Sequence, residues 1–326
     1  MSVVNNIFSM ETNKTDSTVE TLAMIQFSYG LPSFILMIFF LFFIGCSKIF
    51  SNSFYRLIQM DLLVNILLYF NTWLAIRIEM HPMFIPALKF IEQILPGLLT
   101  WSKYFTWWFM HIQFLSAAIL NVHRISSIFF PARYEKFWAR YYFLFGLAFF
   151  IYSFLPSLMW FGFGNEVSII NGTLSKKRNS ETLAKATKVT AFFSVAYFIV
   201  IFVLGIATSV LVSSKIKTIQ PLGSTSYENI GRKLTKIALT YCFVYTGILM
   251  WTVLTALNTS LNFFPSFIMD VNQNLLVFSS DLMTLSLPYI LMLYDTNVRK
   301  RVFKPKMPQL TISNNFVFSS SFHASR

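Results

Sequence analysis

Seven stretches of mainly apolar residues recur along the chain, divided by short polar segments: Phe27–Ser47, Phe54–Ile76, Trp101–Val122, Tyr141–Phe161, Val189–Val212, Ile237–Leu257 and Val271–Tyr294. Each holds about the 20 residues that carry an α-helix across bilayer hydrocarbon. A helix also satisfies its own backbone where no water can. The pattern therefore predicts an all-α membrane protein, a seven-transmembrane-helix bundle over residues 27–294. Residues 1–26 form one tail and 295–326 the other.

Between the apolar stretches the polar positions predict smaller features. Pro82, Pro86 and Pro96 bracket Phe84–Leu95, which reads as a short interfacial helix over the outer mouth. Ser213–Lys236 reads as a polar loop with a flexible centre at Pro221–Ser226, its second half extending the sixth helix. After Tyr294, Val298, Val302 and Phe303 share one side of a short basic amphipathic helix that Pro305 ends, suited to lying on a leaflet. The bland reading of that stretch is a flexible basic tail. The Ser-rich remainder is expected to be disordered.

Composition changes the choice of solvent. Of 326 residues 55% are hydrophobic and 38 are Phe, while only 12% are charged, so a water-soluble surface cannot be built. A net charge of +13 suggests nucleic acid in a soluble protein. Here Lys and Arg cluster in short loops between apolar runs, the pattern of segments facing an anionic lipid leaflet, so the expected partner is the bilayer and no nucleic acid. The first 26 residues hold no continuous apolar core, so the first span is expected to act as the targeting signal.

Charge also orients the bundle. With the amino terminus outside, inner segments hold Lys48, Arg56, Arg124, Arg133, Lys136, Arg140, Lys215, Lys217, Arg232, Lys233, Lys236, Arg299, Lys300, Arg301, Lys304, Lys306 and Arg326, which is 17 of 26 basic residues. Against this, five basic residues crowd the loop from Lys176 to Lys188. The sequons at Asn13, Asn171 and Asn258 all fall on the predicted outer side and are candidate N-glycosylation sites, making the chain a candidate glycoprotein.

Ionisable groups inside spans carry the chemistry, because lipid exposure costs several kcal/mol. Asp61 heads a polar stripe with Asn65, Tyr69 and Thr72; Asp281 has Thr284 one turn on and Pro288 two turns on. These predict an intramembrane polar network of Asp61, Asn65, Asp281 and Pro288, which either regulates the bundle or only holds it together. Pro288 removes a backbone hydrogen bond and lets its helix bend. Asn71, Trp73, Arg77, Trp107, Trp108, His111 and Gln113 are ligand-binding candidates near an outer pocket, although such tryptophans more often anchor a membrane interface. Asn121-Val122-His123-Arg124, closing at Phe130-Pro131, reads as the place where the third helix leaves hydrocarbon for a basic, water-facing loop.

Enzymatic readings find no support. The sequence has no nucleophile-elbow, phosphate-cradling or zinc-binding motif, and only His111 of four histidines lies within a predicted span. Cys46 and Cys242 read as small hydrophobes, and no Cys/His cluster has metal-ligand spacing, so neither metal nor cofactor is expected.

Phe54-Tyr55-Arg56-Leu57, Met60–Asn65, Asn71-Thr72-Trp73 and Arg77 resemble the second-helix region of nematode serpentine receptors of the gamma class. His111–Ser116, Asn121–Arg124, Pro131 and Tyr134–Trp138 are similar to that family's third helix and second inner loop, and Pro288 with Arg299–Phe303 to its closing segment. The resemblance covers about residues 25–305. It implies a seven-helix chemoreceptor of the plasma membrane in sensory cells, binding a small-molecule chemical ligand and a heterotrimeric G protein. By that likeness His123, Arg124, Pro131 and Arg133 would contact the G protein. His123-Arg124 stands where better-known receptors have an acid-Arg pair, so a lock between those neighbours is not available. The competing reading is an ion channel or transporter with a path near Asp61 and Asp281.

Overall fold

The computed structural model describes residues 5–11, 17–130, 133–158, 164–219, 225–261 and 264–303. Pro131, Asn13 and the Ser-rich segment after Phe303 lie outside these residues. The long apolar stretches are helices α1 (Ser17–Cys46), α2 (Ser53–Thr72), α4 (Leu98–Phe129), α5 (Tyr134–Tyr152), α7 (Ser180–Ile219), α8 (Thr225–Leu261) and α9 (Ser266–Tyr294). Shorter helices are α3 (Ile85–Ile94), α6 (Phe154–Leu158) and α10 (Thr296–Phe303).

Among the described residues, five segments are long and apolar enough to cross a membrane: Thr21–Cys46, Ser53–Arg77, Tyr134–Pro156, Ser180–Thr208 and Asn274–Tyr294. Counting the pair Pro82–Ile94 and Leu98–Ser127, bent by 99°, as one span gives six. Six of the expected stretches run through long helices, but Tyr141–Phe161 is divided between α5 and α6 and ends outside the described residues, and within α8 the apolar run Phe243–Asn258 is shorter than a full crossing. The surface inverts that of a soluble bundle. Phe42, Phe143, Phe192, Val203, Phe243 and Leu293 are all more than half exposed, which is affordable only against lipid.

Several boundaries depart from expectation. The fourth helix starts at Tyr134, seven residues early, because Trp138 is buried against Phe145 and the ring of His123. Its basic residues belong to helical turns rather than a loop. The third helix runs on to Phe129. Helices α7 and α8 together leave only residues 220–224 of the expected inner loop between them.

Beside the helices lies a three-stranded antiparallel sheet, β1 (Asn5–Ser9), β2 (Asn165–Ile170) and β3 (Thr173–Asn179), in the order β1-β3-β2. Its hairpin turns at Asn171-Gly172, where φ is +50° and +77°, the left-handed values a tight hairpin needs and Asn-Gly supplies. Val167 and Leu174 from the strands, with Ile85 and Leu88 of α3 and Leu99 of α4, form a separate apolar cluster. Glu92 at the end of α3 accepts the amides of Gly97 and Leu99 (2.6 and 3.3 Å), fixing the corner where Gly97 adopts φ +86°.

These contacts define two ends of the bundle. The amino-terminal strand, α3 and the β2–β3 hairpin share one, the sheet end. The start of α2, the start of α5 and α10 share the other. There Tyr55 donates to Asp295 at 2.6 Å, and Asp295 caps α10 by accepting the amides of Asn297 and Val298 (2.8 and 3.2 Å). Val298 is fully buried and Val302 packs against the same core, while Phe303 points away and is exposed. The main core lies between, with Phe40, Leu57, Phe114, Leu120, Tyr245 and Leu291 drawn from five of the long helices.

Candidate functional site

Near the sheet end α2 ends in a π-helical turn, Trp73–Arg77, a widening often found at functional positions. It turns Arg77 inward, where its Nη2 donates to the Asp281 carboxylate of α9. Tyr29 of α1 donates to the other oxygen at 2.5 Å. Three helices thus meet on one buried ion pair. The guanidinium also lies over the rings of Tyr69 and Trp73, at 5.4 and 5.2 Å, a favourable cation–π arrangement in a desolvated site. Gly30 makes this possible: a Cβ there would stand 2.0 Å from the Tyr69 hydroxyl. A cavity of about 390 Å³ between α1 and α9 adjoins the ion pair, lined by Tyr29, Ser33, Phe278, Asp281, Leu282, Leu285, Ser286 and Tyr289.

Farther from the sheet the polar contacts continue down the bundle axis. Gln113 of α4 donates to Asn65 of α2 at 2.5 Å and to Thr284 of α9 at 3.2 Å, while its carbonyl accepts the Tyr245 hydroxyl of α8 at 3.1 Å. His111 meets the Tyr197 hydroxyl of α7 at 3.1 Å. Asp61 is buried one turn beyond Asn65. Asp281 gives both carboxylate oxygens to Arg77 and Tyr29.

The remaining ligand candidates divide. Asn71 is occupied by the Ser102 carbonyl, the Thr106 hydroxyl and the Ser102 hydroxyl, joining α2 to α4 at 3.0 to 3.1 Å. Trp108 turns towards α5, donating to the Phe150 carbonyl at 3.2 Å and packing on Phe154. Trp107 is half-buried. Trp73 and Arg77 stand together at the ion pair.

At the opposite end His123 and Arg124 are buried, not water-facing. The first charge does not end the helix: α4 continues to Phe129 and the neighbouring helices close around it. His123 therefore lies within the bundle, as His111 does. Its Nε2 meets the Ser53 hydroxyl at 2.9 Å, and Ser53 gives both its amide and its hydroxyl to Glu135, each at 2.7 Å. The Arg124 guanidinium lies 5.6 Å from the Phe54 ring centre. An acid is thus present, supplied by α5 through Ser53 rather than by the residue beside Arg124. Trp138 completes the contact by donating to Ser126 at 2.6 Å. Arg133 is exposed.

The sequence model of the Srg family of chemoreceptors matches residues 23–302. Among curated relatives, serpentine receptor class gamma-47 of Caenorhabditis elegans is 38% identical over 86% of this chain and 89% of its own length. Serpentine receptor class gamma-53 of the same organism is 30% identical over 90% of this chain and 94% of its own length. The chain belongs to the Srg family of chemoreceptors.

This Srg protein is accordingly a multi-pass membrane protein with a chemoreceptor role. Several of its polar contacts escaped sequence reasoning. Tyr29 and Ser33, one turn apart in a mainly apolar run, were the available signal for the α1 side of the ion pair. The Asn171-Gly172 dipeptide was the signal for the hairpin. Glu79 joins Lys103 of α4 and Lys176 of β3 at 2.5 and 2.8 Å, tying the sheet to the bundle. The Ser53–Glu135 contact spans 82 residues and had no local signal.

Proposed function

We propose that this Srg chain is a seven-span receptor of sensory plasma membranes, with its amino terminus and sheet outside and α10 in the cytoplasm. A small molecule binds near the Arg77–Asp281 pair and a heterotrimeric G protein engages the opposite end around Arg124 and Arg133. The carrying observation is the axial set of polar contacts, from Tyr29–Asp281–Arg77 through Asn65–Gln113–Thr284 towards His123–Ser53–Glu135. Such contacts tie α1, α2, α4, α5 and α9 together at discrete geometries. A ligand that prefers one geometry over another shifts the balance by that difference alone. The lysines and arginines of the α10 end suit an anionic inner leaflet, and exposed Asn171 at the hairpin tip suits an outer, glycosylated loop.

A small-molecule screen with a second-messenger readout tests the reading in cells expressing wild type or Arg124→Ala. A compound that raises the messenger through wild type and not through the surface-expressed variant supports it. Responses of equal size through both remove Arg124 from coupling.

A further inference from the structure

We propose that Arg77 and Tyr69 form an anion-recognition site, and that the small molecule bound by this protein carries a carboxylate. The proposal rests on the receptor reading above and names the chemical class of its ligand.

Arg77 is 2% exposed, yet only its Nη2 has an acceptor; Nε and Nη1 are buried with no hydrogen-bond partner among the described residues. The Tyr69 hydroxyl, two turns earlier on the same helix, is buried facing the Arg77 guanidinium and the Trp73 indole, with no other hydrogen-bond partner among the described residues. The two groups adjoin, since the guanidinium carbon lies 5.4 Å from the Tyr69 ring centre. Buried polar groups are rarely left unmatched in folded proteins. Everything unmatched here can donate a hydrogen bond, and the charge among those donors is positive. A guanidinium can only donate, so the complementary ligand atom is an acceptor. A carboxylate supplies two such oxygens and makes the stronger, charge-assisted bonds.

Asp281 sharpens the choice. Each of its oxygens already holds a donor, Arg77 or Tyr29, and its charge is offset by Arg77, so a cationic ligand gains little from it while an anionic one finds free donors. A ligand carboxylate on Arg77 also competes with Asp281 for the same guanidinium. That competition loosens the link between α2 and α9, giving binding a differential effect on helix arrangement.

The test uses the full chain in zwitterionic lipid nanodiscs at pH 7. The probes are straight-chain carboxylates from acetate to octanoate, each paired with its primary amide, a neutral compound of the same shape. Thermal unfolding is followed. At least one carboxylate is expected to raise the midpoint by about 3 °C or more at ten times its Kd, with no shift from its amide. Tyr69→Phe keeps the ion pair and is expected to weaken carboxylate binding about ten-fold. Arg77→Gln with Asp281→Asn removes both charges together and is expected to abolish it. Equal shifts from acid and amide, no shift from any carboxylate, or shifts unchanged in both variants would overturn the proposal. Nucleotide exchange on a G protein, measured in parallel, separates the two claims. Carboxylate binding without exchange keeps the anion site and removes coupling; exchange evoked only by neutral compounds does the reverse.

Discussion

Replacing Arg77 by Met and Asp281 by Leu, singly and together, isolates what their ion pair contributes. Both side chains are no more than 4% exposed, so either single substitution leaves a charge buried without its partner. Breaking a buried pair in this way costs about 3–5 kcal/mol. At roughly 2–4 °C per kcal/mol for a chain of this size, each single variant loses about 6–20 °C in Tm. The double variant removes both charges, and apolar replacements of buried pairs are often neutral or stabilising. Its remaining penalty is the Tyr29 hydroxyl, which loses its acceptor at about 1–3 kcal/mol. The cycle should therefore show a coupling energy of about 3 kcal/mol or more. Thermal unfolding of the detergent-solubilised protein reads it. A double variant as unstable as the sum of the two singles would refute the assignment of Arg77 and Asp281 as mutual partners.

Two further outcomes follow from the ends of the bundle. Glu135→Ala frees Ser53 and His123 at the α10 end, so ligand-independent nucleotide exchange should rise several-fold over wild type; unchanged basal exchange would mean the contact is structural only. At the sheet end, Glu11 accepts the Leu174 amide at 3.1 Å and the Lys89 ammonium at 3.0 Å, which hold its carboxyl below the usual range, the amide foremost. A lowered folded pKa means that its contribution is complete above the unfolded carboxylate range and lost as pH falls through the folded value. A spin label on β1 should accordingly gain mobility on acidification, and Glu11→Gln should remove that pH dependence.

How far the sequence was legible depended on the range of the interactions. The long apolar runs were legible because lipid exposure imposes length and hydrophobicity locally, although among the described residues five segments, or six with the bent pair, are long and apolar enough to span, rather than seven. Helix ends were less legible. Lys136 and Arg140 read as loop charges, yet they stand on exposed faces of α5's first turns while Trp138, between them, turns into the core. Charge alone does not end a helix. Asp281 was recognisable as a costly intramembrane residue and Arg77 as a ligand candidate, but their pairing across 204 positions depends on how α2 and α9 pack. Trp108 shows the converse: its residue type suggested a ligand contact, and its neighbour Phe150 decides that it seals α4 against α5. For His123 the local sequence lacked an acid, and the tertiary fold supplies Glu135 through Ser53.

In the proposed receptor, occupancy near the sheet end changes what the α10 end does to a G protein. Reciprocal linkage makes this measurable in both directions. In nanodiscs holding the purified chain and a heterotrimeric G protein, an active compound should accelerate guanine-nucleotide exchange, and the nucleotide-free G protein should tighten that compound's binding by the same coupling free energy. Both effects should vanish in Arg124→Ala. A compound-evoked ion current in vesicles without any G protein, with exchange and affinity unchanged when the G protein is added, would contradict the account.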